Sequence, residues 1–330
     1  MRIQLNVKFE EIVDLENLLK AWKEFLKGRK RKPDVLLFQK HLMDNIFSLR
    51  DDLFNHTYRH GDYKAFNISD PKPRNIHKAS VRDRLLHRAI YRQLYPFFDK
   101  TFIAHSFSCR NNRGTHRAIK DFCSASHKVS KNNTKTCWVL KGDVKKFFAS
   151  IDHQILFEIL TKYISDQNTL WLLKEVIESF CVKPGVGLPL GNLTSQLLAN
   201  IYLNEFDQFV KHKLKVKYYL RYADDFVLMA ENRRWLEQQV LLIKNFLWER
   251  LRLILHPQKI FIKTFSSGVD FLGWVNFPDH KVIRTSTKKS LMKKIEENPK
   301  SETIASYLGL LKHGNTYKLR KIILDKYFKT

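Results

Sequence analysis

Residues 217–230 read KYYLRYADDFVLMA: two apolar stretches meet at adjacent aspartates, Asp224 and Asp225. Alone, such a pair marks a solvated hairpin turn, because Asp suits turn geometry. A third aspartate changes the reading. In CWVLKGDV a short apolar run suited to a strand ends on Asp143. Three carboxylates gathered at one sheet edge repel one another unless cations lie between them. Two Mg²⁺ ions held ~3.5–4 Å apart would relieve that repulsion and clamp an in-line phosphoryl transfer. One lowers the pKa of an attacking hydroxyl; the other neutralises a leaving pyrophosphate. Mg²⁺ prefers oxygen donors and keeps several waters, so two or three Asp plus substrate phosphates suffice. Asp143 and Asp224 are the candidate bridging ligands, the Val144 carbonyl a further donor, and Asp225 a peripheral ligand. Mn²⁺ could substitute.

The surrounding pattern says how these residues could meet. In EIVDLENLLKAWKEFL, residues Ile12, Leu15, Leu19, Trp22 and Leu26 recur at three- and four-residue steps, which predicts a helix. VLLFQKHLMDNIFSLRDDLF repeats the theme. A Pro-, Asn- and Lys-rich passage, NISDPKPRNIHKASVRDR, leads to a helix around DRLLHRAIYRQLYPFF. After the Asp143 strand, Asp152 can cap HQILFEILTKYI; a second helix (LWLLKEVIESF), the loop KPGVGLPLGN and a helix from about Leu193 to Leu214 follow, with Leu197, Ile201 and Phe209 turned inward. Then come strand, ADD turn, strand, the helix RRWLEQQVLLIKNFLWERL, and the strand-like LRLIL, KIFIKTF and VDFLGWVNF. The last fifty residues read as lysine-rich helix. Strand, helices, hairpin, helix, strand is the order of a split βαβ unit, an antiparallel sheet backed by helices. In it the end of the Asp143 strand can lie beside the Asp224–Asp225 turn.

Composition names the company. The chain of 330 residues has 44% hydrophobic residues and 59 Lys+Arg against 33 Asp+Glu, a net charge of +26. With that hydrophobic content disorder is not the default reading, and the charge points to polyanions, nucleic acid or an anionic membrane surface. Lys27–Lys32 is a dense basic run, which on its own is also what a solvated loop looks like. No apolar stretch approaches the ~20 residues of a membrane span. The acidic residues in MRIQLNVKFEEIVDLENLL do not suit a secretory leader, so a cytoplasmic protein is expected. Cys109, Cys123, Cys137 and Cys181 form no CxxC pair and are expected to be reduced core or strand residues. GVGLPLG, with Asp207 twenty residues past Gly187, is no dinucleotide fingerprint: no buried strand leads into it, the third glycine is one place late, and Asp207 reads as helical.

These residues also resemble a family. Tyr222-Ala223-Asp224-Asp225 matches the YxDD box of reverse transcriptases, with Arg221 and Phe226 fitting its surroundings. Asp143–Phe148 resembles the first aspartate motif, and LPLGNLTSQLLANIYLNEFD (188–207) the loop-and-helix motif between them. PKPRNIHKASVRDRL and SFSCRNNRGTHRAI resemble fingers motifs of bacterial members; LILHPQKIFI and FLGW resemble later palm motifs. The series runs in family order from about residue 70 to 275. It implies an α+β right-hand polymerase: 1–135 as N-terminal extension and fingers, 136–278 as palm with finger-side helices within about 153–185, and 279–330 as a short helical thumb. Most members carry Gln-Gly and Ser-Pro at the two ends of the loop motif, where this chain has Leu190-Gly191 and Ser195-Gln196. LPLGNLTSQ, with only about fifty residues after FLGW, resembles the reverse transcriptases of diversity-generating retroelements. That subgroup implies error-prone copying of a template RNA, with misincorporation opposite adenine, for mutagenic retrohoming, and a small basic accessory protein oligomer as partner beside dNTPs and the RNA/cDNA duplex.

Carried over residue by residue, the resemblance makes Arg74, helped by Lys72, a triphosphate contact, since a guanidinium fork suits phosphate oxygens. Phe148 would lie beneath the sugar and exclude a 2′-hydroxyl. Leu190 stands where most relatives brace the nucleotide with glutamine, and it cannot hydrogen-bond, which loosens geometric checking. Gly191 lets backbone approach the nucleotide. Lys259 could protonate the leaving pyrophosphate, and Gly273 and Trp274 would hold the primer end. Lys288, Lys289, Lys293 and Lys294 would face the duplex backbone. Phe148, Leu190 and Trp274 have plain readings as packing residues. The rival functions are a defence-type or group II intron-related reverse transcriptase and a catalytically silent RNA-binding scaffold; intact Asp143, Asp224 and Asp225 argue against the last.

Overall fold

The first surprise is how often the chain punctuates its helices. In the computed structural model, which describes residues 4–69 and 73–327, the first apolar stripe is two helices, α1 (Phe9–Val13) and α2 (Leu15–Phe25). Asp14 divides them: its carboxylate accepts from the N–H groups of Glu16 (2.9 Å) and Asn17 (3.3 Å), capping α2. The second stripe likewise splits at His41 into α3 (Pro33–Lys40) and α4 (Leu42–Phe54).

The Pro- and Asn-rich passage is not irregular throughout. It holds an antiparallel hairpin, β1 (Lys64–Ile68) and β2 (Arg74–Lys78), in the register Lys64↔Lys78 to Ile68↔Arg74. None of its strand residues is buried, so its strands carry no inward apolar alternation to read. Such a hairpin is marginal unless anchored. At its base Asp83, on α5 (Val81–Thr101), accepts from Tyr58 Oη (2.8 Å), Ser80 Oγ (2.6 Å) and the Gly61 N–H (3.2 Å). His60, beside them, stands with its Nε2 3.2 Å from that of His87.

The centre of the molecule is a four-stranded antiparallel sheet in the order β4-β5-β3-β6, built from β3 (Trp138–Asp143), β4 (Tyr218–Tyr222), β5 (Asp225–Ala230) and β6 (Phe261–Thr264). Leu140, Tyr219, Phe226 and Leu228 join the large core with α2, α5 and the helices α7 (His153–Thr161), α8 (Gln167–Glu178), α9 (Leu193–Gln208) and α10 (Arg233–Leu251). Val139, Leu220, Val227 and Met229 face the other way, onto α6 (Thr115–Val129) and β7 (Val269–Phe271). Asp152 caps α7 by accepting from Ile155 N–H. The helix expected to run unbroken to Leu214 ends as α at Gln208 and continues as one π-helical turn over Phe209–Lys213.

VDFLGWVNF is itself a hairpin, β7 and β8 (Trp274–Asn276), turned through Leu272 (φ +53°) and Gly273 (φ +85°). A third strand, β9 (Lys281–Ile283), pairs with β8, so sheet structure crosses the 278/279 boundary and the tail is not wholly helical. The helices α11 (Thr285–Glu297), α12 (Ser301–Leu311) and α13 (Tyr317–Tyr327) close a small core of their own around Trp274, Leu291, Ile304 and Ile323. Of the cysteines only Cys137 is buried; Cys109 and Cys181 are exposed rather than in the core, and all four are free. Among the described residues no helix is long and apolar enough to cross a membrane.

The hairpin anchor makes a prediction. Burial, with help from His60, holds the His87 imidazole below its ordinary pKa, against the pull of Asp83. The unfolded chain therefore takes up a proton that the folded chain refuses, so stability is intact above the free imidazole value of ~6.5 and falls as pH drops below it. Unfolding free energies from urea titrations between pH 7 and 5 should decline with a slope of up to ~1.4 kcal/mol per pH unit from this group. His87→Gln should flatten that slope.

Candidate active site

Antiparallel pairing decides where the three aspartates lie. Asp143, last residue of β3, is directly opposite Asp225, first residue of β5, and opposite residues share a face of the sheet. Asp224 sits in the two-residue turn between β4 and β5, and its carbonyl accepts from the Val144 N–H (3.3 Å). The two acidic segments are thus stitched together at the backbone, and Asp143, Val144, Asp224 and Asp225 come together as the sequence suggested. Gly142 permits this: it is opposite Phe226, and a Cβ there would run into the Phe226 ring.

Electrostatics follow from that crowding. Burial, and then the Asp143 and Asp225 charges, push the Asp224 carboxyl up to about 6. Asp225 is raised too, by burial and Asp143, against the pull of Lys141. Lys259, on the segment before β6, places Nζ 3.1 Å from both Asp143 oxygens, and Lys141 Nζ lies 3.5 Å from Asp225 Oδ1. Among the described residues no three carboxylate, imidazole or thiol groups already close on a point as a metal cage. Mg²⁺ does not require one, since it binds through one or two carboxylates and substrate phosphates. A half-buried carboxyl pushed up to about 6 by burial and then by like charges fits a divalent cation, and Asp143 and Asp224 are the residues that would hold it.

The turn itself is held from behind. Arg221 is fully buried, and its guanidinium donates to both oxygens of Asp207 on α9 (Nε to Oδ1 and Nη2 to Oδ2, each 2.7 Å), to Asn200 Oδ1 (3.3 Å) and to Ser106 Oγ (3.0 Å). Its remaining bond, Nη1 to the Ala223 carbonyl (3.0 Å), fixes a residue with φ +54° immediately before Asp224. Burial opposes the Arg221 charge, yet Asp207 holds the guanidinium above its ordinary range. Asp207 is helical, as its sequence indicated. Its partnership with Arg221 is not legible in the helix; the signal for it is a lone arginine inside an apolar strand.

The candidate nucleotide residues form a connected belt. The Leu188 N–H donates to the Phe148 carbonyl (2.8 Å), the His77 N–H to the Leu190 carbonyl (2.9 Å), and Asn192 Nδ2 to the His77 carbonyl (3.0 Å). Gly191 adopts φ +107°, and a Cβ there would come within 2.8 Å of Ile76. The close approach that demands glycine is thus to the β1–β2 hairpin. Phe148 is half-buried, edge-on to Phe147. Arg74 opens β2 and is exposed; Lys72 lies outside the described residues. Gly273 and Trp274 belong to the separate three-stranded sheet, where Trp274 is buried against Gly314 and the C-terminal helices. Lys288, Lys289 and Lys293 are exposed on α11, and Lys294 is half-buried there. A cavity of about 1050 Å³ lies elsewhere, between α7, α9 and α10 and lined by Ile155, Phe209 and Phe246 among others.

Comparison with known proteins decides the family. The model for reverse transcriptase (RNA-dependent DNA polymerase) matches residues 68–276. This chain belongs to the reverse transcriptase family. Its reaction class is that of an RNA-directed DNA polymerase. The reverse transcriptase is 26% identical to protein YkfC of Escherichia coli over 309 residues, covering 81% of this chain and 78% of that protein. It is 24% identical to the group II intron-encoded protein LtrA of Lactococcus lactis, over 77% of this chain but only 51% of LtrA. A nuclear intron maturase of Arabidopsis thaliana is 24% identical over 44% of this chain. The chain thus spans about half of LtrA's length.

Removing the clamp behind the turn should be costly. Arg221→Met leaves Asp207 buried and uncompensated, a change worth about 3–5 kcal/mol of stability. Urea unfolding should show that loss. Arg221→Lys, which cannot reproduce the fork, should restore only part of it.

Proposed function

We propose that this reverse transcriptase joins deoxynucleotides to a primer on an RNA template at a site made of Asp143, Asp224 and Asp225. The carrying observation is the convergence of these carboxylates, from the end of β3 and the β4–β5 turn, in a chain of charge +26. In this reading the four-stranded sheet is the palm, the β1–β2 hairpin with the helices before it forms the fingers, and α11–α13 form the thumb. Mg²⁺, when bound, would supply charge neutralisation at the attacking hydroxyl and the leaving pyrophosphate. Asp143 and Asp224, with the Val144 carbonyl, would hold it. Arg74, with Lys72, takes the triphosphate; Phe148 excludes the ribose 2′-hydroxyl; Leu190 and Gly191 border the nascent pair, and the Leu190 backbone is tied to the hairpin through His77. Lys259, 3.1 Å from Asp143, stands close enough to the site to serve the leaving group. Gly273 and Trp274 serve the primer end from the neighbouring sheet.

The template assignment we favour is that of a diversity-generating retroelement. It rests on LPLGNLTSQ, where Leu190 offers no hydrogen bond to the nascent pair. A small basic accessory protein oligomer belongs to that assignment. The intron-encoded LtrA and the Arabidopsis maturase among the relatives support a second reading, an intron-type enzyme with a structured intron RNA as template.

Primer extension on RNA with dNTPs and Mg²⁺ tests the site. Asp224→Asn should cut the rate by ~100-fold or more, as expected for loss of a metal-holding carboxylate. Equal extension by both proteins would sink the assignment. Sequencing the product separates the templates: errors concentrated opposite adenine support the diversifying enzyme, and evenly spread, rare errors support the intron type.

A further inference from the structure

Lys141 is a lysine where a lysine is costly. It lies in the middle of β3, opposite Val227 on β5 and Phe261 on β6, on the same face as Asp143 and Asp225. A buried ammonium needs a paired charge, and the Lys141 side chain, 11% exposed, has Asp225 Oδ1 at 3.5 Å. The site's other ammonium differs in kind. The Lys259 side chain is 47% exposed and reaches Asp143 from the segment between His256 and β6. Lys259 can swing into solvent when a cation or phosphate arrives. Lys141 is rooted in a central strand, between two paired neighbours, and has nowhere to go.

We propose that Lys141 is a positioning residue that permanently neutralises Asp225, dividing the three carboxylates into two that receive cations, Asp143 and Asp224, and one held back as a structural counter-charge. The proposal deepens the nucleotidyl-transfer reading and rests on it. It gives adjacent aspartates unlike tasks: Asp224, in the turn, faces repulsion with no lysine of its own within ion-pair reach among the described contacts, while Asp225, first in β5, meets Lys141 across the strand. Burial and Asp143 raise both carboxyls, and Lys141 opposes the rise at Asp225.

Mn²⁺ binding to the substrate-free full-length protein, followed by electron paramagnetic resonance, tests the division without relying on turnover. Asp143→Asn and Asp224→Asn should weaken Mn²⁺ binding about tenfold or more, and Asp225→Asn less than about twofold. Lys141→Met frees the Asp225 carboxylate and should tighten Mn²⁺ about three- to tenfold while slowing primer extension; adding Asp225→Asn should cancel the gain. Lys141→Arg keeps the charge and should bind Mn²⁺ as the wild type does. The proposal is overturned if Asp225→Asn weakens Mn²⁺ as much as Asp224→Asn, or if folded Lys141→Met binds it no more tightly than the wild type. Should Lys141→Met fail to fold by circular dichroism, the comparison of Asp225→Asn with Asp224→Asn decides alone. A wild type that binds Mn²⁺ but never extends a primer on RNA would remove the polymerase reading, and the Mn²⁺ series would still judge the division.

Discussion

Everything at the candidate site hangs on a guanidinium that no solvent reaches. Arg221 joins three pieces of chain: β4, which carries it; α9, through Asp207 and Asn200; and the segment around Ser106, which also pairs with β4 by backbone bonds from Arg221 N–H to His105 and from Phe107 N–H to Arg221. A buried ion pair is weak evidence for stability, because desolvation consumes most of the attraction, and an apolar replacement of similar volume is often as good. Its worth here is geometric. The fork leaves one N–H for the Ala223 carbonyl, and Ala223 holds φ +54°, a conformation that costs a side-chain-bearing residue roughly 1–2 kcal/mol. Without a fixed donor behind its Ala223 carbonyl the turn has cheaper conformations, and Asp224 would point elsewhere.

A second constraint couples the front of the site to the hairpin. The loop from Leu188 to Asn192 is fastened to β2: it receives the His77 N–H, returns a side-chain bond from Asn192, and passes Gly191 so near Ile76 that no Cβ fits. Through Leu188 the same loop grips the Phe148 turn, five residues beyond Asp143. The β1–β2 hairpin is thus tied to the Leu188–Asn192 loop through the main-chain atoms of His77. Side-chain changes at Leu190 would leave that linkage intact, because both hydrogen bonds run through main-chain atoms at His77.

What could be read in one dimension was what repeats at short period. β3, β4 and β5 announced themselves by apolar runs ending on charged turn residues, and their pairing brought Asp143 to Asp224 and Asp225 as the split βαβ order requires. The β1–β2 hairpin gave no such signal, since it buries almost nothing, and β9 is too short to show alternation. Asp14 and His41 interrupt stripes whose apolar spacing runs on regardless, so two helices read as one. Lys141 and Asp207 were invisible for another reason. Each is ordinary in its own segment and acquires meaning only from a charge brought opposite by the sheet or by α9.

The charge distribution links these local facts to the substrate. A chain of +26 draws polyanions from a distance, and salt weakens that attraction. Yet in the proposed reaction the atoms that must approach phosphate most closely are carboxylates, which phosphate avoids. Ammonium groups alone could soften the conflict, but a lysine seated on each carboxylate would also block access. The unequal burial of Lys141 and Lys259 resolves the geometry: one charge stays inside the sheet and leaves the front clear, the other covers Asp143 on a movable stem. In the proposed reaction a phosphate would displace the exposed Lys259 ammonium from Asp143 and keep its company, so that Lys259 would pass from carboxylate to substrate without crossing low-dielectric space.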